Sequence, residues 1–274
     1  MLIVGEAINT SRKIKKEKVI EAAVISRDAD FIRELAQSQY RAGANYIDIN
    51  AGTLTTGEPE ALVWLTQVVQ QSVTAPISFD TPNPMALAAA LQVYNQANGQ
   101  PMINSITAES DRYANVLPFV LEYKAKVIAL AMDDTGIQQD AGKRLAVACK
   151  LVEKLTAASV PVDDIYVDPL TFPIGTGDDV ALALLTIVEK IQAEFPGVHT
   201  IAGLSNISHG MPMRKLLNQA MVILAMSKGM DAGIIDPNDN YLMGLIAAAE
   251  ALLGHDEYCM NYITLSREGA FEGI

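Results

Sequence analysis

Short apolar runs alternate along the chain with longer stretches in which apolar residues recur at spacings of three and four. The runs fall at 2–7, 45–50, 77–80, 101–104, 126–132, 165–168, 200–204 and 232–235. Each has the length of a buried strand. Between them, 29–42, 59–72, 84–96, 113–123, 143–157, 178–194, 212–228 and 240–253 carry the pattern of amphipathic helices. Pro59, Pro84 and Pro212 stand near first turns, and Gly43, Gly197 and Gly229 follow last ones. Eight strand and helix units in strict alternation predict the α/β class and a closed parallel (β/α)8 barrel, the TIM barrel, with residues 1–274 as one domain.

The main rival architecture is an open doubly wound sheet. It calls for a glycine-rich phosphate turn after the first strand, and Gly5-Glu6-Ala7-Ile8-Asn9 lacks the second and third glycines. The stretch 10–27 has five lysines and arginines in its first half. It reads as a surface loop and a short helix over the barrel mouth, its charge solvated.

Composition narrows the classes of function. With 50% hydrophobic residues and no apolar run of membrane-spanning length, the chain reads as soluble, without signal peptide or transmembrane helix. A formal net charge of -12 argues against binding a nucleic-acid backbone. Cys149 and Cys259 lie far apart and suggest neither a disulfide framework nor a zinc site, which fits a reducing cytoplasm. His199, His209 and His255 show no ligand spacing, so no bound metal is expected.

In a parallel barrel the residues at the carboxyl ends of the strands form the working face. Here they are Glu6 and Asn9, Asp48 and Asn50, Asp80, Asn104 and Ser105, Met132 and Asp133, Asp168, Ser205 and Asn206, and Asp236. Any one of these carboxylates or amides has a plain reading as a turn former. Together, with no lysine or arginine directly on a strand end, they make a mouth of acceptors and neutral donors. Such a mouth suits a nitrogen heterocycle, whose ring N–H and exocyclic amine form a donor pair that one carboxylate accepts in bidentate fashion. A phosphate ligand would call for cations instead.

The series Gly5-Glu6-Ala7-Ile8-Asn9, Asp48-Ile49-Asn50, Phe79-Asp80, Ile103-Asn104-Ser105, Val167-Asp168-Pro169 and Leu204-Ser205-Asn206-Ile207-Ser208 resembles the pterin-binding methyltransferases. It is most similar to the methyltetrahydrofolate:corrinoid protein methyltransferases, and more distantly to the folate module of cobalamin-dependent methionine synthase. The resemblance implies that Asp80, Asn104 and Asp168 hold the pterin ring, with Gly203 and Ser205 beside it, and that Asn206 is the catalytic residue at pterin nitrogen 5. It leaves Glu6, Asn9, Asp48, Asn50, Met132 and Asp236 around the mouth. It further implies tetrahydrofolate or methyltetrahydrofolate as substrate, a corrinoid (cobalamin) carried by a partner protein, no metal on the barrel itself, and a homodimer.

Ala7 replaces the arginine of the family's frequent Gly-Glu-Arg, and 10–27 is longer than usual. Both weaken an assignment to the acetyl-coenzyme A pathway enzyme and tilt the reading toward a corrinoid system that demethylates glycine betaine or another methylated amine, with the acetyl-coenzyme A pathway direction staying open beside it. Two alternatives stay open at this level: a dihydropteroate synthase-like pterin enzyme, and a folate-binding subunit without turnover. The first usually has basic residues after strand seven and an Arg-Pro-Gly stretch after strand two, where this chain has Ser205-Asn206-Ile207 and Thr53-Leu54-Thr55-Thr56-Gly57.

Overall fold

Side chains alternate between the two faces of a strand, so a strand buried on both faces can pack helices outside and fill a lumen inside. That is the arrangement in the computed structural model, which describes residues 1–13, 15 and 17–272. The chain opens with β1 (Leu2–Asn9), α1 (Val19–Ser26) and α2 (Ala29–Arg41). It continues through β2 (Tyr46–Asn50), α3 (Glu58–Ser72), β3 (Ile77–Asp80), α4 (Pro84–Val93), β4 (Met102–Thr107), α5 (Ser110–Glu122) and β5 (Lys126–Leu130). A hairpin of β6 (Met132–Asp133) and β7 (Gly136–Ile137) precedes α6 (Ala141–Ala157). Then follow β8 (Ile165–Asp168), α7 (Val180–Glu194), β9 (His199–Thr200), α8 (Arg214–Met226), β10 (Ala232–Ile235), α9 (Asn240–Leu252) and α10 (Met260–Arg267).

Eight strands form one sheet in the order β10-β1-β2-β3-β4-β5-β8-β9, each pair parallel. Where a ladder would join β9 to β10, the Ile234 N–H donates to the Ala202 carbonyl at 3.1 Å. The result is a nearly closed TIM-like barrel with helices outside, as the pattern predicts.

Helix boundaries follow local chemistry. Asn83 caps α4 by accepting from the Met85 and Ala86 N–H groups, and Pro84 opens the helix where no N–H is needed. Gly197 and Gly229 take φ of +91° and +97°, a left-handed turn that suits glycine at the end of a helix.

Three expectations change. The seventh strand, predicted over 200–204, is reduced to His199–Thr200, and Leu204–Ser208 forms a 3-10 turn. The fifth strand ends at Leu130, which places Met132 in the β6–β7 hairpin. In the stretch 10–27, α1 buries Ile20, Ala23 and Val24 and packs on α2, α3 and β1, as part of the outer layer. Ile14 and Lys16 of that stretch lie outside the described residues. Helix α10 had no counterpart in the predicted pattern.

The core has two layers. Helices pack on the outer faces of the strands through residues such as Leu62, Leu65, Phe79 and Leu87. Inside the lumen, Val4, Tyr46, Met102, Ile128, Tyr166, Ile201 and Ala232 meet as one buried cluster. Among the described residues no helix is long and apolar enough to cross a membrane.

Candidate active site at the barrel mouth

Two residues onward from each member of the lumen cluster, the same strand face comes round again. From Val4 this step reaches Glu6, from Tyr46 Asp48, from Met102 Asn104, from Tyr166 Asp168 and from Ile201 Gly203. From Ile128 and Ala232 the step reaches Leu130 and Ile234, so the roof of the apolar plug is polar over β1, β2, β4 and β8 and apolar over β5 and β10. Register joins them side by side: Asp48 lies opposite Ser78, Asp80 opposite Asn104, and Asp168 opposite Leu130.

Hydrogen bonds connect the row. Ser78 Oγ donates to Asp48 Oδ1 at 2.7 Å, and Asn104 Nδ2 donates to the same oxygen at 3.4 Å. Asn50 Nδ2 donates to Asp80 Oδ2 at 2.7 Å. Behind them Glu58 accepts from Thr81 Oγ1 at 2.5 Å and from Asn83 Nδ2 at 3.1 Å, which steadies the loop after β3.

Burial shapes the charge state of these acids, because an ionised carboxylate loses hydration there. Burial, and then the negative charge of Asp80, push the Asp48 carboxyl well above its ordinary range, with Ser78 and Asn104 pulling back. Asp80 is raised by burial against the Asn50 hydrogen bond and the Arg112 charge. Burial takes Asp168 to about 7, opposed only by the bond it accepts from the Leu170 N–H at 2.8 Å. Glu6 also rises to about 7 through burial, partly offset by Arg12. Strongly raised acids gathered in a cleft are a recurrent mark of working sites.

The other predicted residues divide in their roles. Asn9 Oδ1 accepts from the Ser11 N–H at 2.9 Å and from Ser11 Oγ at 2.7 Å, a local turn. Asp236 accepts from the Asn238 N–H at 3.1 Å and from Arg12 at 2.5 Å. Burial opposes its ionisation, but the hydrogen bond and charge of Arg12 outweigh that and hold it below the usual carboxylate range. Ser205 gives its carbonyl to Arg214 at 2.8 Å. Asn206 is exposed in the 3-10 turn after β9, and among the described residues its side chain makes no hydrogen bond. A Cβ on Gly203 would sit 3.4 Å from Asn206 Nδ2, so the amide lies directly above the glycine. Met132 is half-buried in its hairpin, beyond the polar row.

Sequence reasoning missed the cations. No strand end carries one, yet Arg12 reaches Asp236, Arg112 reaches the loop after β3 and Ser105 within β4, and Arg214 folds onto the turn after β9. Each arrives from a loop or helix through space, and periodicity holds no signal for that. The larger clefts lie away from this chemistry. One of about 660 Å³ opens between Tyr123, Lys124 and Pro161 near the amino-terminal ends of the strands, and one of about 800 Å³ lies between α9, α10 and α2. We place the site at the mouth because perturbed acids and directed amides converge there and not in either cleft.

Comparison with known proteins gives the family. Residues 15–236 match the family of pterin binding enzymes. Over 271 residues, 98% of this chain and 97% of its counterpart, the sequence is 33% identical to the methylcorrinoid:tetrahydrofolate methyltransferase of Eubacterium limosum. The chain belongs to the pterin-binding methyltransferases. This methyltransferase is also 28% identical to methionine synthase of Mycobacterium tuberculosis over 247 residues, a stretch that is 20% of that longer protein. Solved dihydropteroate synthases share its barrel. That of Yersinia pestis superposes with a TM-score of 0.67 at 17% identity, covering 92% of this chain and 93% of the other. That of Xanthomonas albilineans gives 0.66 at 19%, covering 93% of both. At such identities the likeness extends to the fold alone.

Proposed function

We propose that this methyltransferase moves a methyl group between nitrogen 5 of tetrahydrofolate and the cobalt of a corrinoid held by a separate protein. The observation that carries the reading is the row in which Asp80 and Asn104 stand side by side in register above the lumen plug, with Asp168 two strands further round. Asp80 Oδ2 accepts from Asn50 and keeps a second lone pair, and among the described residues Oδ1 makes no hydrogen bond, so the carboxylate can accept the pterin's paired N–H donors in bidentate fashion. Asn104 and Asp168 take the remaining donors and the carbonyl.

The cobalt supplies a centre that takes up or gives back the methyl group. What remains for this chain is the nitrogen. A tertiary amine is a poor leaving group, so nitrogen 5 must take up a proton from solvent as its methyl departs, and a hydrogen bond that strengthens there eases the step. Asn206 Nδ2 can donate that bond without carrying an acidic proton to the metal centre, which is binding selective for the transition state. In the reverse sense nitrogen 5 would form its bond to the methyl carbon with its own lone pair and its proton would pass to solvent, the amide turning its oxygen toward that N–H before it leaves. The direction we propose is toward methyltetrahydrofolate, within a system that demethylates glycine betaine or a related methylated amine.

A partner must reach the mouth from outside. Exposed Met85, Leu182, Met213 and Leu216 lie at or just before the amino-terminal ends of α4, α7 and α8, and exposed Ile137 lies in the β6–β7 hairpin. These starts all face the mouth side of a parallel barrel, and the rim they make suits a corrinoid protein settling over bound folate. We read residues 1–274 as a single pterin-binding domain that works as a homodimer in the cytoplasm, where free Cys149 and Cys259 stay reduced.

A dihydropteroate synthase reading has less support. Such an enzyme needs an anion site after the seventh strand, and Arg214 there is occupied by the Ser205 carbonyl and Ser208 Oγ of its own turn. The deciding experiment is a spectrophotometric assay with free cobalamin, first with methyltetrahydrofolate and then, using methylcobalamin, with tetrahydrofolate. Methyl transfer in either direction supports the proposal. Calorimetric binding of folate without transfer, even with candidate corrinoid proteins, would leave a binding subunit, and no binding at all would overturn the pterin site.

A further inference from the structure

We infer that Arg112 is a positioning residue of the mouth: its guanidinium ties the loop after β3 to strand β4 at Ser105 and so holds Asp80 beside Asn104. As a statement about pterin binding, the inference rests on the function proposed above. As a statement about Asp80, it stands on geometry alone.

Arg112 is the third residue of α5, half-buried, and all three nitrogens of its fork donate. Nε and Nη2 donate to the Ser105 carbonyl at 3.0 and 2.6 Å, Nη2 also donates to the Thr81 carbonyl at 2.8 Å, and Nη1 donates to the Pro82 carbonyl at 2.6 Å. Thr81 and Pro82 directly follow Asp80, and Ser105 directly follows Asn104. One rigid plane thus grips the backbone immediately after both acceptors, while the Thr81 N–H donates to the Asn104 carbonyl at 3.2 Å between them. A lysine in this place has a single point of donation and cannot span three carbonyls.

The same cation also lies in the field of Asp80. The charged or titratable neighbours of that carboxylate are Asp48 from β2, Glu58 from α3 and Arg112 from α5, and Glu109, just ahead of α5, faces the guanidinium. Arg112 is the cation of this set, so it favours the carboxylate form of Asp80, the form that accepts a donor pair.

The test compares the wild type with Arg112→Met and Arg112→Lys by two measurements. One is the carbon-detected NMR titration of the Asp80 carboxyl without ligand, and the other is calorimetric binding of methyltetrahydrofolate. The expected result for Arg112→Met is an upward shift of the Asp80 titration and roughly ten-fold weaker binding or more. Arg112→Lys should return the titration close to wild type but recover binding only in part. An unmoved Asp80 titration in Arg112→Met overturns the inference, including when binding weakens, since general loosening of the loops would then account for the loss. Should the wild type bind no folate, the pterin reading fails by itself, and the Asp80 titration still decides whether Arg112 positions that group.

Discussion

Asn50 and Asp80 are joined at the ends of neighbouring strands by an Nδ2–H···Oδ2 bond of 2.7 Å, while Asn50 Oδ1 accepts from the Gly52 N–H at 2.8 Å. The amide is held from both sides, so it fixes which way the carboxylate turns. Asp80→Ala should weaken folate binding roughly 10- to 100-fold, as expected for losing charge-assisted hydrogen bonds. Asn50→Ala should cost about ten-fold through misorientation, with the Asp80 titration moved upward because a bond to its charged form is gone. Calorimetry on both variants checks this, and tight binding by Asp80→Ala would remove Asp80 from the site.

Asn206 should separate rate from affinity. The exposed amide makes no hydrogen bond among the described residues, so its removal should leave the fold intact, and on the proposed mechanism its contribution lies in a bond that grows as the reaction proceeds. Asn206→Ala is expected to lower kcat by about 100- to 1000-fold with folate affinity within about two-fold of wild type. Equal losses in both would assign it an ordinary binding role.

Asp168 makes binding and stability depend on pH in opposite senses. Its carboxyl titrates near 7 in the fold against 3.8 in a free chain. Between those values the folded protein holds the extra proton, so this group's contribution to stability declines as pH rises through that window. A ligand N–H requires the carboxylate, so folate binding below about pH 7 should release a proton and tighten as pH rises. Calorimetry in two buffers of different protonation enthalpy reads the released proton directly, and Asp168→Asn should abolish its share.

His199 should set a second, separate window. Its Nδ1 meets Asp231 at 2.5 Å and its Nε2 meets Asp163 at 3.2 Å, while its ring stacks on Tyr166 with centroids 4.6 Å apart. The Asp231 hydrogen bond chiefly raises its pKa above the ordinary 6.5, against the cost of burial. The stabilisation is therefore complete below 6.5 and is lost as pH rises through the higher folded-state value. Thermal melts should show a fall in Tm over that range, and His199→Gln should flatten it.

Much of this molecule was legible before any coordinates. Alternation of apolar runs with amphipathic stretches identified the eight barrel strands, because burial on two faces leaves a continuous apolar signature. Asp80 and Asp168 end their strands, while the fourth strand, expected to end at Asn104, continues past a register shift to Thr107; a period of two carries all three residues onto the lumen face. The stretch 201–204 shows the limit of that logic. Ile201, Ala202 and Leu204 are as buried as strand residues, but the ladder stops at Thr200 and the backbone winds into a 3-10 turn. Apolar content reports burial, and burial alone does not say whether the backbone is paired. Arg112 was beyond reach for another reason: its partners are backbone carbonyls, which every residue has.

The apolar plug of Val4, Tyr46, Met102, Ile128, Tyr166, Ile201 and Ala232 makes the lumen a cul-de-sac. A small molecule resting on the polar layer above it has one door, and that door is the face a larger partner needs. On the proposed function the small molecule would have to enter before the larger partner settles and could leave only after it lifts away, so a single entrance would set the order of events.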